Sequence, residues 1–368
     1  MATTSGTWGY RDRFGDAFGR TYFRRFGPGV VSSVGVGTYL GDPTDDADDR
    51  YREAVRTALD AGVNVVDTAV NYRAGRSERV VGEALAESSA DRDEVLVATK
   101  GGFLPFDGER PEEPAAYVRR EFVEPGLVDP DDLVRGSHCI APDFLDAMVD
   151  RSLSNLDLDA VDLYYVHNPE TQLTEHPRDE VYDRLEAAFE TLERRVAAGD
   201  VGAYGVATWE AFRMPEGHDS YLSLPAVVAR AEAAAETVHG DGASHGFEAV
   251  QLPFNVGMAD AFSLKNQRKP ESGDSVSTLE YAHDAGLGMF TSASLSQGEL
   301  AREGVIPDDV AALLEGDSAA QRAINFARSA PGVTCSLVGM GSPEHVAENV
   351  AAGTFDPLGA QAFDSTFE

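Results

Sequence analysis

The sequence contains very little lysine, little cysteine and no long apolar run. Only three of its 368 residues are lysines, whereas lysine and arginine together number 30, so arginine carries almost all of the positive charge. Two cysteines are too few for a disulfide framework or a metal cluster, which indicates packed small side chains. No eighteen uncharged apolar residues run together, and the N-terminus lacks an apolar segment of signal-peptide length. We therefore expect no membrane span and a cytoplasmic location.

Negative charge is in large excess. The chain has 63 acidic residues and a formal net charge of −33, and such a surface repels nucleic acid and anionic lipid, so neither is expected as a partner. The acids are spread through the chain and do not form one acidic tail. Dispersed acid with almost no lysine predicts adaptation to high salt, where the Debye length falls to about 3 Å at 1 M. The alternative is an acidic surface that binds a basic partner.

Short β-branched runs alternate with amphipathic stretches, and this pattern predicts eight βα units around a parallel sheet. Eight units in one chain favour a closed (β/α)8 TIM barrel over an open sheet. We expect a single domain spanning residues 1–368, with a core at about 20–351 and a C-terminal tail at 352–368. The predicted strands are Val30 to Gly35, Val63 to Asp67, Val95 to Thr99, Val161 to Val166, Ala203 to Ala207, Ala249 to Leu252, Leu287 to Thr291 and Val333 to Val338.

Two further segments stand out. The turn Gly27-Pro28-Gly29 lies between two apolar stretches and predicts an N-terminal β-hairpin that caps the bottom of the barrel. Residues 101–142, here named the collar, form a long connection rich in proline, glycine and acid after the third strand. Because active sites of barrels are built from loops at this face, the collar is a candidate lid or substrate-binding loop. Surface decoration is the alternative.

Four residues with reactive side chains lie at or just beyond the ends of consecutive predicted strands: Asp67, Tyr72, Lys100 and His167. Taken singly, Asp67 is equally a helix cap, Tyr72 a packed ring and His167 a turn residue. Together they make an acid catalyst. An ammonium lowers the pKa of a neighbouring phenol, so we expect Lys100 to acidify Tyr72. Asp67 then orients Lys100, while His167 hydrogen-bonds a substrate oxygen that gains negative charge.

At these residues the chain resembles the aldo/keto reductase family. The stretch Gly62 to Tyr72, followed by Ser77 to Leu85, is similar to the long N-terminal signature of that family. Three further segments resemble the family in the same order: Val97 to Lys100, Asp162 to His167, and Glu348-Asn349. The resemblance implies a (β/α)8 barrel that uses NADPH or NADH to reduce aldehydes and ketones. It also implies Tyr72 as general acid, tuned by Lys100 and Asp67, with His167 orienting the carbonyl.

The resemblance also implies a set of cofactor-binding residues: Thr38, Thr208, Gln251, Ser292, Leu295, Gly339, Gly341, Ser342, His345, Glu348 and Asn349. The chain departs from the family here. Thr208-Trp209 replaces the common Ser-Asn pair, and the loop at Leu295 lacks the tyrosine that stacks on nicotinamide, for which Trp209 is a candidate substitute. His345 stands where arginine is usual. A 2′-phosphate needs charge-assisted partners, so the choice between NADP and NAD stays open, although Ser342 and nearby amides can receive a phosphate.

Two smaller clusters remain. Lys265, Arg268 and Lys269 follow the sixth strand and form either an exposed loop or a grip on a cofactor phosphate or a substrate carboxylate. His138-Cys139 has no partners at zinc spacing, so no metal is expected there, and a collar contact to substrate is the functional alternative.

The sequence therefore predicts an oxidoreductase that interconverts small aldehydes, ketones or sugars with alcohols, in either direction. Its acidic collar favours a neutral or hydroxylated substrate, although the lysine cluster favours an anionic one. A regulatory barrel that binds nicotinamide with little turnover is the first alternative. A cofactor-free isomerase using Lys100 as a Schiff-base amine is the second. The sequence does not reveal the oligomeric state.

Overall fold

The computed structural model describes residues 1–367, and its centre is a closed barrel of eight parallel strands. Two strands precede the barrel as an antiparallel hairpin, β1 (Phe23–Phe26) and β2 (Gly29–Ser32). The later strands are β3 (Val34–Gly37), β4 (Val65–Asp67), β5 (Leu96–Gly101), β6 (Val161–His167), β7 (Val201–Ala207), β8 (Phe247–Pro253), β9 (Gln267–Arg268), β10 (Ser275–Val276), β11 (Gly288–Ser292) and β12 (Val333–Gly339). The barrel runs from β3 to β8, continues through β11 and β12, and closes where β12 pairs with β3. The predicted fold class is confirmed.

Helices surround the barrel. They are α1 (Thr4–Phe14), α2 (Asp45–Asp60), α3 (Arg76–Glu87), α4 (Pro114–Val118), α5 (Pro142–Leu156), α6 (Arg178–Ala198), α7 (Leu224–His239), α8 (Asp260–Ser263), α9 (Thr278–Asp284), α10 (Asp308–Ala311), α11 (Ala319–Ser329), α12 (Pro343–Ala351) and α13 (Ala360–Asp364). One face of α6 is buried against the barrel and includes Leu185, Phe189 and Leu192. That helix ends at Gly199, whose φ of 87° suits glycine. No helix among residues 1–367 is long and apolar enough to cross a membrane.

The first predicted strand, Val30 to Gly35, is wrong in its bounds. Val30 belongs to β2 of the hairpin, and the barrel strand β3 begins only at Val34. Asn64 explains the break, because its side chain accepts a hydrogen bond from Ser32 N at 2.7 Å and donates to Val30 O at 3.2 Å. This amide satisfies hairpin backbone groups that a continuous strand would have used in the sheet.

The hairpin closes the bottom of the barrel, as predicted. The interior is filled by apolar side chains that include Leu163, Tyr165 and Phe290, all buried. Phe26 of the hairpin packs edge-to-face on Phe290, with 5.2 Å between ring centroids. Because the interior is filled and the hairpin covers the N-terminal ends of the strands, the open end of the barrel is at their C-terminal rim.

The collar is ordered and is anchored at its base. Leu104 N donates to Ser137 O at 2.9 Å, and Cys139 N donates to Gly102 O at 2.8 Å, so the two ends of the segment are joined. Between them Phe122 packs into the main core. Cys139 and the other cysteine, Cys335, are both buried and free, as expected for packed side chains.

Candidate active site

Three of the four predicted catalytic residues lie at the C-terminal ends of adjacent strands. Asp67 ends β4, Lys100 lies one residue before the end of β5, and His167 ends β6. Tyr72 follows β4 by a short loop and begins the turn Tyr72–Gly75. Because β4, β5 and β6 are neighbours, the structure brings all four side chains to one place on the rim.

Lys100 and Asp67 form a buried ion pair. Lys100 Nζ lies 2.6 Å from Asp67 Oδ2 and donates a second hydrogen bond to Thr68 O at 2.8 Å. Gln251 Nε2 donates to the other carboxylate oxygen of Asp67 at 2.7 Å. Burial raises the pKa of Asp67 and lowers that of Lys100, while their mutual attraction opposes both shifts. Removing one partner of such a pair costs about 3–5 kcal/mol, because the other charge stays buried.

Tyr72 lies directly above this pair. Lys100 Nζ is 4.8 Å from the centroid of the phenol ring, and the His167 ring centroid is 5.8 Å from it. The ring of Tyr39 packs against the other side at 5.0 Å between centroids. The four groups therefore form one cluster at the rim, with the ion pair beneath the phenol and the imidazole beside it.

The expectation that Lys100 lowers the pKa of Tyr72 is wrong for this structure. Burial raises the pKa of the phenol, and the charge of Asp67 and then Tyr39 raise it further. The physical reason is that Asp67 neutralises Lys100 at 2.6 Å, so the phenol faces an ion pair and not a free ammonium. Tyr72 thus stays protonated at neutral pH, which is the form that donates a proton.

A strained turn presents Tyr72. Arg73 (φ 48°) and Ala74 (φ 57°) are left-handed without being glycine, and Gly75 (φ 83°) follows. A Cβ on Gly75 would lie 2.8 Å from Phe106 O, so the collar packs directly on the turn. Arg73 is buried and pairs with Asp48. Left-handed residues of this kind persist only when surrounding contacts hold them, and they cluster at functional sites.

A second histidine, His138, makes a hydrogen bond with the backbone of His167. His138 Nε2 lies 2.8 Å from His167 O, and His138 Nδ1 lies 2.8 Å from Gln172 Nε2. Phe103 packs edge-to-face on His167 at 5.1 Å between centroids. Burial, and then the charges of Lys100 and His138, lower the pKa of His167 well below its usual value, so the imidazole is neutral and carries one N–H donor. Burial lowers the pKa of His138 to about 4.

This contact changes the interpretation of the collar. His138 was a candidate for touching substrate, but it is fully buried behind the backbone of His167. Gly102 makes the approach feasible, since a Cβ there would lie 2.7 Å from His167 O and 3.2 Å from His138 Nε2. The collar is thus attached to the catalytic strand β6 through side chains.

Three predicted cofactor residues are already bonded within the protein. Thr38 Oγ1 donates to Asp67 O at 3.1 Å, and Gln251 binds the Asp67 carboxylate. Thr208 Oγ1 donates to Glu170 Oε1 at 2.8 Å and accepts from Ala211 N at 2.9 Å. The hydroxyl proton of Thr208 is thus engaged by Glu170, and the role of Thr208 toward a cofactor stays a prediction.

Glu170 organises the loop after β7. Its Oε1 accepts hydrogen bonds from Thr208 and from the backbone of Trp209 (2.7 Å) and Glu210 (2.9 Å). Its Oε2 is buried without a hydrogen-bond partner among residues 1–367. Trp209 is 45 % exposed at the rim. Sequence reasoning missed Glu170, and its position three residues after a strand-ending histidine was the only available signal.

The remaining predicted cofactor residues line the rim around β11 and β12. Ser292 ends β11, Leu295 lies in the loop after it, and both are half-buried. Gly339 ends β12, and a Cβ on Gly339 or Gly341 would meet nothing closer than 3.9 Å. Ser342 caps α12 by accepting from His345 N at 3.3 Å. In that helix His345 and Glu348 are exposed, whereas Asn349 is buried.

The lysine cluster does not act as one group. Lys269 pairs with Asp284 at the end of α9, while Lys265 and Arg268 are exposed. Among residues 1–367, no three histidine, cysteine or acidic side chains lie where they would hold a metal ion.

The comparison with known proteins bears on the whole arrangement. A sequence model described as the aldo/keto reductase family matches residues 33–229, which is more than half of the chain and includes all four rim residues. The chain belongs to the aldo/keto reductase family.

Individual relatives are more distant. The chain is 30 % identical over 161 residues to a 6-dehydroglucose reductase from Novosphingobium aromaticivorans, covering 42 % of this chain and 40 % of that protein. It is 33 % identical over 162 residues to a D-threo-aldose 1-dehydrogenase from a Pseudomonas species, covering 44 % of each. These matches span less than half the length of either relative. An aldo-keto reductase from Klebsiella pneumoniae in complex with NADPH superposes with a TM-score of 0.58 at 20 % identity, covering 94 % of this chain and 93 % of that one. This likeness supports the fold alone.

Proposed function

We propose that this aldo/keto reductase family member transfers hydride between NAD(P) and a carbonyl or alcohol, with Tyr72 as the general acid. The observation that carries the proposal is the packing of Tyr72 on the Lys100–Asp67 ion pair, with His167 beside it. A protonated phenol thus lies beside a neutral imidazole, with 5.8 Å between their ring centroids. Such a pair of donors suits an oxygen that becomes negative during reaction.

The rim residues around β12 and α12 fit a dinucleotide. Gly339 and Gly341 leave open space where a side chain would otherwise stand, so a phosphate can approach the backbone closely. Ser342 and the first amides of α12 face the same end and favour an anion. Ser292 at the end of β11 and Leu295 in the loop after it belong to the neighbouring strand of the barrel. When bound, the nicotinamide supplies the hydride for reduction or accepts it for oxidation.

The residues of this chain perform the proton part of the reaction. In reduction, Tyr72 Oη donates its proton to the substrate oxygen as the carbon receives hydride. The positive charge of Lys100 then stabilises the phenolate that remains. His167 donates its N–H to the same oxygen and fixes the carbonyl. Asp67 keeps Lys100 in place and Gln251 keeps Asp67 in place. Oxidation of an alcohol reverses each proton step.

The substrate class we propose is a neutral, hydroxylated carbonyl such as a sugar. The collar holds nine acids against four arginines and therefore disfavours anions. Exposed aromatic faces at the rim, Tyr39 at 59 % and Trp209 at 45 %, suit the C–H faces of a sugar. The two relatives are named as acting on a dehydroglucose and an aldose.

Neither alternative function is favoured. The regulatory barrel is less well supported, because all four rim groups of a reductase are present. The Schiff-base isomerase requires a reactive amine, but Lys100 is fully buried and its ammonium is bound to Asp67 and Thr68. We also propose a cytoplasmic setting rich in salt, without nucleic acid as partner, supported by the net charge of −33 and the two free cysteines.

Binding and turnover test the proposal separately. NADH and NADPH are titrated by nicotinamide fluorescence in multimolar salt, and aldoses and simple aldehydes are then screened for cofactor oxidation. Tyr72→Phe should bind cofactor like the wild type and lose turnover by about a hundredfold or more. If neither nucleotide binds, the oxidoreductase proposal fails. If Tyr72→Phe turns over like the wild type, the assigned acid is wrong.

A further inference from the structure

The face of the barrel opposite the active site carries a cleft lined by arginine. The cleft has a volume of about 470 Å³ and lies between strand β1, the connection from α11 to β12, and the C-terminal tail. Arg20, Arg24, Arg25 and Arg328 all line it. Because Val333, where β12 begins, is also part of the wall, the cleft belongs to the N-terminal ends of the strands. It therefore belongs neither to the proposed substrate site nor to the proposed cofactor site.

These arginines differ from most of the others in what they bind. Most arginines elsewhere have a carboxylate partner, as Arg195 has in Asp146, Asp150 and Asp200. Within residues 1–367, none of the four cleft arginines has a carboxylate oxygen within 4.0 Å. This is unexpected in a chain with 63 acids and 30 basic residues. Positive charge is thus concentrated where no acid among residues 1–367 forms an ion pair with it.

The two inner guanidinium groups are bound only to neutral oxygens. Arg24 donates to the carbonyl oxygens of Thr21 (3.1 Å), Val333 (2.7 Å) and Arg328 (2.7 Å). The side chain of Arg328 donates to Ser33 Oγ (2.9 Å) and to other neutral groups. Its Nη2 has no partner in the part of the chain that the structure describes. These bonds position the groups but leave both charges uncompensated.

Burial without a compensating charge lowers the pKa of both inner guanidinium groups. Burial, and then the charge of Arg328, lower the pKa of Arg24 to about 9, and burial lowers the pKa of Arg328 to about 10. The guanidinium groups of Arg24 and Arg328 therefore repel each other in a poorly solvated site. Asp356 is the acid that acts on Arg328, and it is exposed and makes no ion pair with the cleft arginines among residues 1–367. An anion from solution would relieve the repulsion.

We propose that this cleft binds a phosphate-type oxyanion, either inorganic phosphate or the phosphate group of a small metabolite. The outer guanidinium groups, Arg20 and Arg25, are exposed and are therefore available to a ligand, and each nitrogen fork matches two phosphate oxygens. The ligand would join the hairpin, the start of β12 and the tail, three segments far apart in sequence. Its effect is to stabilise the floor of the barrel, at a distance from catalysis.

Phosphate binding is measured by calorimetry and by the shift of melting temperature, at constant ionic strength set with KCl. Three proteins are compared: the wild type, Arg20→Gln/Arg25→Gln, and the charge-matched control Arg50→Gln/Arg110→Gln, whose arginines are exposed elsewhere. Both double variants change only exposed side chains, and circular dichroism checks that each is folded. Inorganic phosphate and glycerol 2-phosphate form separate arms, so a preference between the free ion and an ester is measured directly.

The proposal expects saturable phosphate binding to the wild type and the control, weakened by about tenfold or more in Arg20→Gln/Arg25→Gln. Tighter binding of the ester identifies a metabolite phosphate, and equal or tighter binding of the free ion identifies inorganic phosphate. Equal binding in all three proteins would place the anion elsewhere and overturn the proposal. The absence of saturable binding in the wild type would overturn it as well.

Discussion

At the residue scale, the chemistry depends on a charge that is balanced before substrate arrives. Lys100, held by Asp67, was expected to lower the pKa of Tyr72; the two are paired at 2.6 Å as expected, yet the phenol has a raised pKa. The spacing of the four residues along the chain predicted that they meet at one rim. It also predicted that Asp67 holds Lys100, but not that burial and the charge of Asp67 would raise the pKa of the phenol, because these effects depend on packing around the ring.

The ion pair leads to a prediction about Lys100→Met. This variant should lose turnover, and it should also lose about 3–5 kcal/mol of unfolding free energy because Asp67 stays buried without its cation. Lys100→Met/Asp67→Asn should regain part of the stability and none of the activity. Urea unfolding and steady-state kinetics measure the two effects. If the single variant is as stable as the wild type, the pair is not buried as described.

His138 gives a second prediction, based on its pKa of about 4 in the folded protein. An unfolded histidine has a pKa of about 6.5, so the neutral buried His138 contributes stability above that pH. This contribution is lost as the pH falls from about 6.5 toward 4, and it amounts to about 3 kcal/mol at most. His138→Gln removes the titrating group. As the pH falls, the variant should therefore lose less unfolding free energy than the wild type.

Urea unfolding of both proteins at pH 7 and pH 4.5, at equal salt, measures that shift. Parallel loss of stability in the two proteins would contradict the prediction.

The same variant also tests whether His138 positions His167. Because the side-chain amide introduced by His138→Gln retains a donor toward His167 O, this variant should keep more turnover than His138→Leu, with kcat affected more than KM. Equal activity of the two variants would mean that the His138–His167 contact has no catalytic consequence.

At the scale of elements, most of the barrel was predictable because each strand is a local apolar run. The error at β3 arose where one run, Val30 to Gly35, serves two elements and is divided by a hydrogen bond from Ser32 to Asn64, which is 32 residues away. The links Glu170–Thr208, Gln251–Asp67 and His138–His167 were not predictable for the same reason. Each joins different elements, and no local spacing encodes it.

The start of α12 carries a prediction about cofactor choice. Glu344 stands in its first turn, and the pKa of its carboxyl is lowered by its own backbone N–H and by Ser342, so it is charged at neutral pH. A charged acid here opposes a 2′-phosphate. Glu344→Lys should therefore raise the ratio of NADPH to NADH affinity by about tenfold. Asp16→Lys is the control for net charge, and an equal change in both variants would contradict the assignment of α12.

At the scale of the whole molecule, the net charge of −33 predicts that folding depends on salt. Self-repulsion weakens as the Debye length falls from about 10 Å at 0.1 M to about 3 Å at 1 M, so the melting temperature should rise steadily into multimolar KCl. Glycerol at matched osmolality is the uncharged control and should give a smaller rise. An unchanged melting temperature across the KCl series would contradict adaptation to high salt.

The hydrogen bond from Gln251 to Asp67 crosses from one half of the chain to the other. Asp67 and the other three rim residues lie in the part that matches the family, residues 33–229, whereas Gln251 lies outside it. The part that matches the family thus holds the four rim residues, and a residue outside that part orients one of them. Through Gln251, a substitution outside residues 33–229 can change how Asp67 is held while all four rim residues stay unchanged.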